Sequence, residues 1–319
     1  MRLYKPSYEI WEQPAGLEGI YKQIEKAGRV CYKSEDKITE DSAKPFVDRM
    51  INSQHYAMLE HGTVYLDIPN SAGDYNLVPF FASNPYSRVV IRPLDDRVHN
   101  YITTNFRVMI ENFAEEYVSD ILQYLCEPTE YHAKRITVHF ICDRGILAEF
   151  TRHRVFSFAA ESTRYCNYSK DKFGGEVTFI IPCWLNLSEG HYQYVHETGP
   201  LGHDFYWTPE VSYKDLENGA SLFLETLAHS EVAYHELLNK WDNRVHDRRF
   251  RTGYKGNPWT PQQARVVLPN ALKTELVMTG FADDWKHFFF LRCPVNAHPQ
   301  ARELAIPLSD EFNRRGYLK

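Results

Sequence analysis

The chain has 319 residues, 43% of them hydrophobic, enough to bury a real core as one large domain or two small ones. Its 36 basic and 42 acidic residues leave a formal net charge of −6. That balance exerts no general pull on nucleic acid, so any basic cluster must act locally and favours small anions. Cys31, Cys126, Cys142, Cys166, Cys183 and Cys293 form no C-x-x-C pair, so neither a zinc knuckle nor a disulfide framework is indicated. Met-Arg-Leu-Tyr-Lys-Pro at the start has no apolar signal region, and no run approaches the about 20 apolar residues of a membrane span. The expectation is a cytoplasmic chain with no membrane partner.

In chain order, residues 17–30 read as a helix, with Leu17, Ile20, Tyr21 and Ile24 at helical spacing. Gly28-Arg-Val-Cys-Tyr32 and a polar turn follow. Thr39-Glu-Asp-Ser42 reads as a helix start, with Phe46, Val47, Met50 and Ile51 as the inner stripe. His55-Tyr-Ala-Met-Leu-Glu-His61 reads as loop, and Thr63–Ile68 alternates as a strand. Within 69–132, Pro69–Gly73 and Arg92–Asp96 look loop-like, and a helix between about 100 and 125 carries Phe106, Met109, Ile110 and Phe113. Arg135–Cys142 alternates as a strand, with Thr137 and His139 opposite Ile136, Val138 and Phe140.

Val177–Ile181, ended by Pro182, is another strand. Residues 186–215 read as irregular surface. A long helix over about 216–240 places Leu222, Leu227, Val232 and Leu237 inside. His235-Glu236-Leu-Leu-Asn239 lacks the second histidine of a zincin, so no metal is expected. Arg244–Arg251 is basic and reads as a solvated face. Thr260-Pro261-Gln262-Gln263 fits a capped helix start carrying Arg265. Lys273–Thr279 alternates as a strand. Asp283 or Asp284 then caps a helix with Trp285, Phe288 and Phe289 on one stripe, and Arg292 continues that stripe.

The stretch carrying most chemistry is Glu149–Tyr168. Asp143 starts a short helix with Ile146, Leu147 and Phe150 on one side, and Arg152-His153-Arg154 could simply close it, cations complementing its dipole. That does not explain Ser162 and Arg164 just beyond, among Phe156, Phe158, Tyr165 and Tyr168. Guanidiniums supply forked donors for phosphate, and rings and apolar walls suit a base or flavin. Ser162 has no evident base beside it in sequence to activate it as a nucleophile.

The spacing resembles the flavin-dependent thymidylate synthases, whose signature is R-H-R, seven residues, then Ser. Here it is Arg152-His153-Arg154 and Ser162, extended by Thr163-Arg164-Tyr165. Gly28-Arg-Val-Cys-Tyr32 resembles the family's A-R-V segment, His55 with Glu60-His61 its H-x-x-x-x-E-H, and Ala264-Arg265-Val-Val-Leu-Pro269 its A-R-x-x-L-P. Asp284-Trp285-Lys-His287 through Leu291-Arg292 resembles its D-W-x-H-x-x-x-L-R.

The resemblance implies an α+β fold, a mixed or antiparallel sheet flanked by helices. It implies one catalytic domain over 1–319, with insertions at 69–132 and 186–250. It implies a homotetramer with shared active sites that methylates dUMP to dTMP, with methylenetetrahydrofolate, FAD and NADPH. By the same resemblance, Glu149, Arg152, Glu161, Ser162, Thr163, Arg164, Arg265 and Arg292 would hold dUMP, with Arg292 catalytic. His55, Arg152, His153, Arg154, Glu161 and His287 would hold FAD. The chain departs from the pattern at Ala160, where many members have Glu and where Glu161 is adjacent instead. It departs again at Glu149 in place of Gln, and at Asp283 in place of Arg or Asn. Two other readings stand beside this one: a nucleic-acid binder using Arg152–Arg164 and Arg244–Arg251, and a flavin and nucleotide binder without turnover.

Overall fold

The computed structural model describes residues 1–70, 77–94, 97–164, 166–170, 176–199, 202–212, 214, 216, 218–238 and 255–318. In chain order the elements are β1 (Arg2–Tyr4), β2 (Ser7–Trp11), α1 (Gly16–Tyr32), α2 (Ala43–Asn52), β3 (Thr63–Pro69), α3 (Leu77–Ser83), β4 (Arg88–Leu94) and β5 (Arg97–Asn105). Then come α4 (Phe106–Asn112), α5 (Glu115–Leu122), β6 (Arg135–Asp143), α6 (Arg144–Phe150), β7 (Ser157–Ala160), β8 (Thr178–Ile180), β9 (Gly190–His191), β10 (Gln193–Gly199) and β11 (Gly202–Thr208). The chain closes with α7 (Ala220–Leu237), α8 (Pro261–Ala264), β12 (Lys273–Phe281), α9 (Ala282–Arg292) and α10 (Pro299–Arg314). This is an α+β protein.

Its centre is the antiparallel sheet β2-β6-β12-β7. β12 is buried along nearly its whole length, because helices cover both faces. On one face Leu276 and Met278 join Ile136, Val138 and Phe140 of β6 against Phe150, Trp285, Phe288, Leu304 and Phe312 of α6, α9 and α10. On the other, Val277 and Ala159 pack on Ala27 and Val30 of α1. The period of two puts Lys273, Glu275 and Thr279 on the α1 face with Thr137 and His139. A second sheet, β3-β5-β4, shares a core with α1 and α2 that includes Ile24, Phe46, Leu66 and Ile102. A third, β8-β1-β9, packs Leu3 and Phe179 against Leu224 and Leu227 of α7.

Several expectations change. Arg92–Leu94 belong to β4, not a loop, and pair across to Arg97–His99. The helix placed at 100–125 begins at Phe106, where Asn105 caps it through a bond from Val108 N at 3.1 Å, and a break after Asn112 divides it in two. The stretch 186–215 contains the β10–β11 hairpin; its Gly, His and Tyr content hid the alternation. Residues 56–61 form a 3-10 turn instead of an open loop. α7 runs over Ala220–Leu237, within the expected 216–240. Leu222 is 70% exposed, because the stripe facing the core runs through Leu224 and Leu227. The N-cap of α9 is Phe281; Asp284 sits one turn in, and its carboxylate accepts from the Phe281 amide at 3.2 Å. The basic run Arg244–Arg251 lies outside the described residues.

Candidate functional site

α6 starts where Asp143 Oδ1 accepts from the Ile146 amide at 2.7 Å, and Gln300 holds the other oxygen at 2.6 Å. The helix ends at Phe150, before the R-H-R run, and Thr151 caps it. A tight turn follows, with the His153 amide bonded to Phe150 O at 3.1 Å. It buries His153 to 7% exposure between exposed Arg152 and Arg154. The imidazole packs on Phe288 and Phe156, with ring centroids at 5.0 and 6.3 Å.

Arg292, in the last turn of α9, reaches this turn with its whole fork. Nη1 donates to Glu149 Oε2 at 2.6 Å, Nη2 to Glu149 O at 2.8 Å, and Nε to His153 Nε2 at 2.9 Å. A guanidinium only donates, so His153 Nε2 accepts and its proton sits on Nδ1. Burial, then the charge of Arg292 and the neighbouring His287, push the His153 pKa down to about 4. The histidine is therefore neutral near pH 7. His287 is exposed, its ring 6.4 Å from that of His153 and stacked on Phe290.

A second group begins at β7, which the sequence reading missed because Phe156, Phe158 and two alanines gave no turn signals around them. β7 delivers the chain to Glu161, whose amide bonds to Glu275 O at 2.9 Å, and Ser162, whose amide bonds to Cys31 O at 3.0 Å. Ser162 Oγ accepts from the Arg164 amide at 3.4 Å, and Thr163 Oγ1 accepts from Arg265 Nη1 at 2.7 Å. Arg265 is placed by α8, where the Thr260 amide donates to Gln263 Oε1 at 2.9 Å. Arg164 and Arg265 are exposed. Glu161 is not: it is 2% exposed, and its carboxylate accepts from Tyr168 at 3.0 Å and pairs with Lys273 at 3.2 Å. Tyr165 lies outside the described residues.

Two cavities adjoin these groups. One, of about 320 Å³, is lined by Asp143, Glu149, Trp184, Asn270 and Phe223 of α7. The other, of about 500 Å³, is lined by His55, Tyr32, Tyr56, Met58 and Arg107. There His55 Nδ1 lies 3.5 Å from Tyr32 OH. Arg107 of α4 pairs with Glu60 at 2.6 Å, an interaction sequence reasoning could not see across 47 positions. Arg29, from the G-R-V-C-Y segment, turns inward to Glu25 at 2.7 Å and lies over Phe46.

Exposed guanidiniums thus flank the Arg292–Glu149–His153 knot and the Ser162–Arg164 loop, while His55 and Arg107 line a cleft of their own, all on an α+β frame; forked donors of this kind suit a phosphorylated ligand. A family model described as thymidylate synthase complementing protein matches residues 91–315. The chain belongs to that family. It is similar to a flavin-dependent thymidylate synthase of Corynebacterium glutamicum, 26% identical over 51% of each chain. It is also similar to one of Pyrococcus furiosus, 26% identical over 68% of this chain and 70% of the other. The match spans about half the length of the Corynebacterium relatives. Among solved structures, a UMP/dUMP methylase PolB from Streptomyces cacaoi bound with 5-Br dUMP covers 98% of this chain and 93% of its own, at 16% identity and a TM-score of 0.40. Among the described residues, no helix is long and apolar enough to cross a membrane.

Proposed function

We propose that this chain methylates the uracil ring of dUMP to give dTMP, taking the carbon from methylenetetrahydrofolate. The observation that carries the reading is the three-donor grip of Arg292 on Glu149 and His153. A cation held this rigidly beside a nucleotide ring favours the form that has lost its N3 proton, which raises electron density at C5 without a covalent adduct. Neutral His153 adds no second charge and fixes the guanidinium's orientation. Ser162, Thr163, Arg164 and Arg265 hold the phosphate, and Arg152 adds a free fork from the neighbouring turn. Glu149 takes the ribose hydroxyls with the oxygen that Arg292 leaves open.

Arg152, His153, Arg154, His55 and His287 would hold FAD. The donor set fits such a group. The side chains of Arg152 and Arg154 are exposed and make no hydrogen bond or ion pair among the described residues, and His55 faces a cleft walled by two tyrosines and a methionine. When bound, FAD reduced by NADPH supplies the hydride. Exposed Arg152, Arg154, Arg164 and Arg265 on an acidic chain support a homotetramer in which neighbouring copies complete each site. We read 1–319 as one catalytic domain with 69–132 and 186–250 as elaborations, acting in the cytoplasm without nucleic acid.

The test is direct. The purified chain should be yellow, release FAD on denaturation, scatter light as a tetramer, and form dTMP only when dUMP, methylenetetrahydrofolate and NADPH are all present. A colourless protein, or a yellow one that binds dUMP without turnover, would overturn the catalytic reading.

A further inference from the structure

Beneath the Ser162–Arg164 loop, on the α1 face of the central sheet, side chains from four segments alternate in charge. Tyr168 donates to Glu161 at 3.0 Å, and Glu161 pairs with Lys273 at 3.2 Å. Lys273 also pairs with Glu275. Lys33 reaches the same Glu275 oxygen at 2.5 Å, and His139 bonds its other oxygen at 2.9 Å. Glu161 and Glu275 are buried; Lys33, Lys273 and His139 are half-buried.

Such a chain of charges is a costly way to fill space. Each ion loses its water, and only alternation of sign with good geometry offsets that. Burial raises the Glu275 pKa, but the His139 hydrogen bond and the charges of Lys273 and Lys33 outweigh it, so the group stays ionised. Lys33 also sits at φ 46°, ψ 57°, a left-handed conformation that side-chain-bearing residues adopt at a cost. The backbone is turned there so that α1 ends and the ammonium passes under β12. The two amides that fix the start of the loop use the same elements: Glu161 N bonds to Glu275 O, and Ser162 N bonds to Cys31 O, two residues before Lys33.

We propose that Lys273, Glu275 and Lys33 are positioning residues for the Ser162–Arg164 anion-binding loop, acting through the inward-turned carboxylate of Glu161. This rests on the proposed reading in one respect, that the loop holds the dUMP phosphate. The ladder fixes where the loop leaves the sheet. It also neutralises a carboxylate that would otherwise repel a bound phosphate from the adjacent position. Glu161 is thereby a strut beneath the ligand-facing side chains.

The experiment uses the FAD-loaded full chain. Lys273→Met keeps the stem and removes the charge. Calorimetric dUMP affinity should fall about 10- to 100-fold, with KM for dUMP rising in step. Flavin content and kcat at saturating dUMP should stay close to wild type. Lys273→Arg should restore most of the affinity. Amide hydrogen exchange at Glu161 and Ser162 should quicken in Lys273→Met while β6 and the rest of β12 keep their protection. Unchanged affinity and unchanged exchange would overturn the proposal, as would equal loss of flavin and dUMP. If Lys273→Met does not fold, Tyr168→Phe removes a single hydroxyl from the far end, and unchanged affinity and exchange there refute the idea equally. If the wild-type chain binds no dUMP, the functional reading fails, and the exchange measurement alone decides the positioning role.

Discussion

Replacing Arg292 with Ala tests the site at its most connected point. Three donors disappear: two on Glu149 and one on His153. The Arg292 and Glu149 side chains are 16% and 31% exposed, so solvent screens the pair and its own contribution to stability is about 1 kcal/mol. His153 Nε2 is left without its donor in a mostly buried ring, which adds about 1 kcal/mol. The fold should survive, with Tm lowered by a few degrees. The catalytic loss should be much larger. Removing a fixed donor aimed at developing charge costs about 100- to 1000-fold in kcat. Flavin, held by other residues in our reading, should stay bound. Arg292→Lys should fall between, because one ammonium cannot span three acceptors. The assay is dTMP formation at saturating dUMP beside a thermal melt and a flavin absorbance ratio. Turnover within threefold of wild type, with the expected small loss of Tm, would show that Arg292 only braces the turn and would refute the reasoning.

Acid should destabilise the chain through His61. The ring is fully buried and bonded to Thr279 at 2.8 Å, and burial, then the charge of Arg135, hold its pKa down to about 3. The unfolded chain takes up a proton below about pH 6.5 that the native ring refuses. Stability is therefore lost as pH falls from about 6.5 towards 3, at up to about 1.4 kcal/mol per unit. Urea midpoints measured across that range should drop less steeply in His61→Asn; an equal slope would remove His61 as the cause. Gly280→Ala should destabilise by about 1 to 3 kcal/mol, because a methyl group would lie 2.4 Å from the Phe156 ring. Phe156→Ala in the same chain should recover part of the added loss, and simple additivity in the double-mutant cycle would contradict the close contact.

The strongly periodic elements were legible. β6 and β12 carry the alternation of strands, and Trp285, Phe288 and Phe289 mark the buried stripe of α9. The capping signals at Asp143 and Thr260 act locally, so sequence alone located them. What sequence hid was contact at long range. Glu161 looks like a ligand residue beside Ser162, yet its carboxylate turns to Lys273, 112 positions away. Lys33 reads as part of a polar turn, and only β12 above it reveals its partner. Arg292 continues an apolar stripe, and finding what it meets there, Glu149 with His153, required knowing that α6 and α9 share one face of the sheet. β10 and β11 escaped notice because they form a two-stranded sheet of their own, rich in Gly, His and Tyr that mask the strand period.

The bond between Arg107 and Glu60 ties the histidine-bearing turn to α4 across the core that α1, α2 and the second sheet share. Arg107 lines the His55 cleft, so replacing it with a neutral side chain would both alter that wall and strip Glu60 of the counter-charge it meets there. A change on either side of that pair would therefore be felt at the other, so positions 60 and 107 have to be redesigned together.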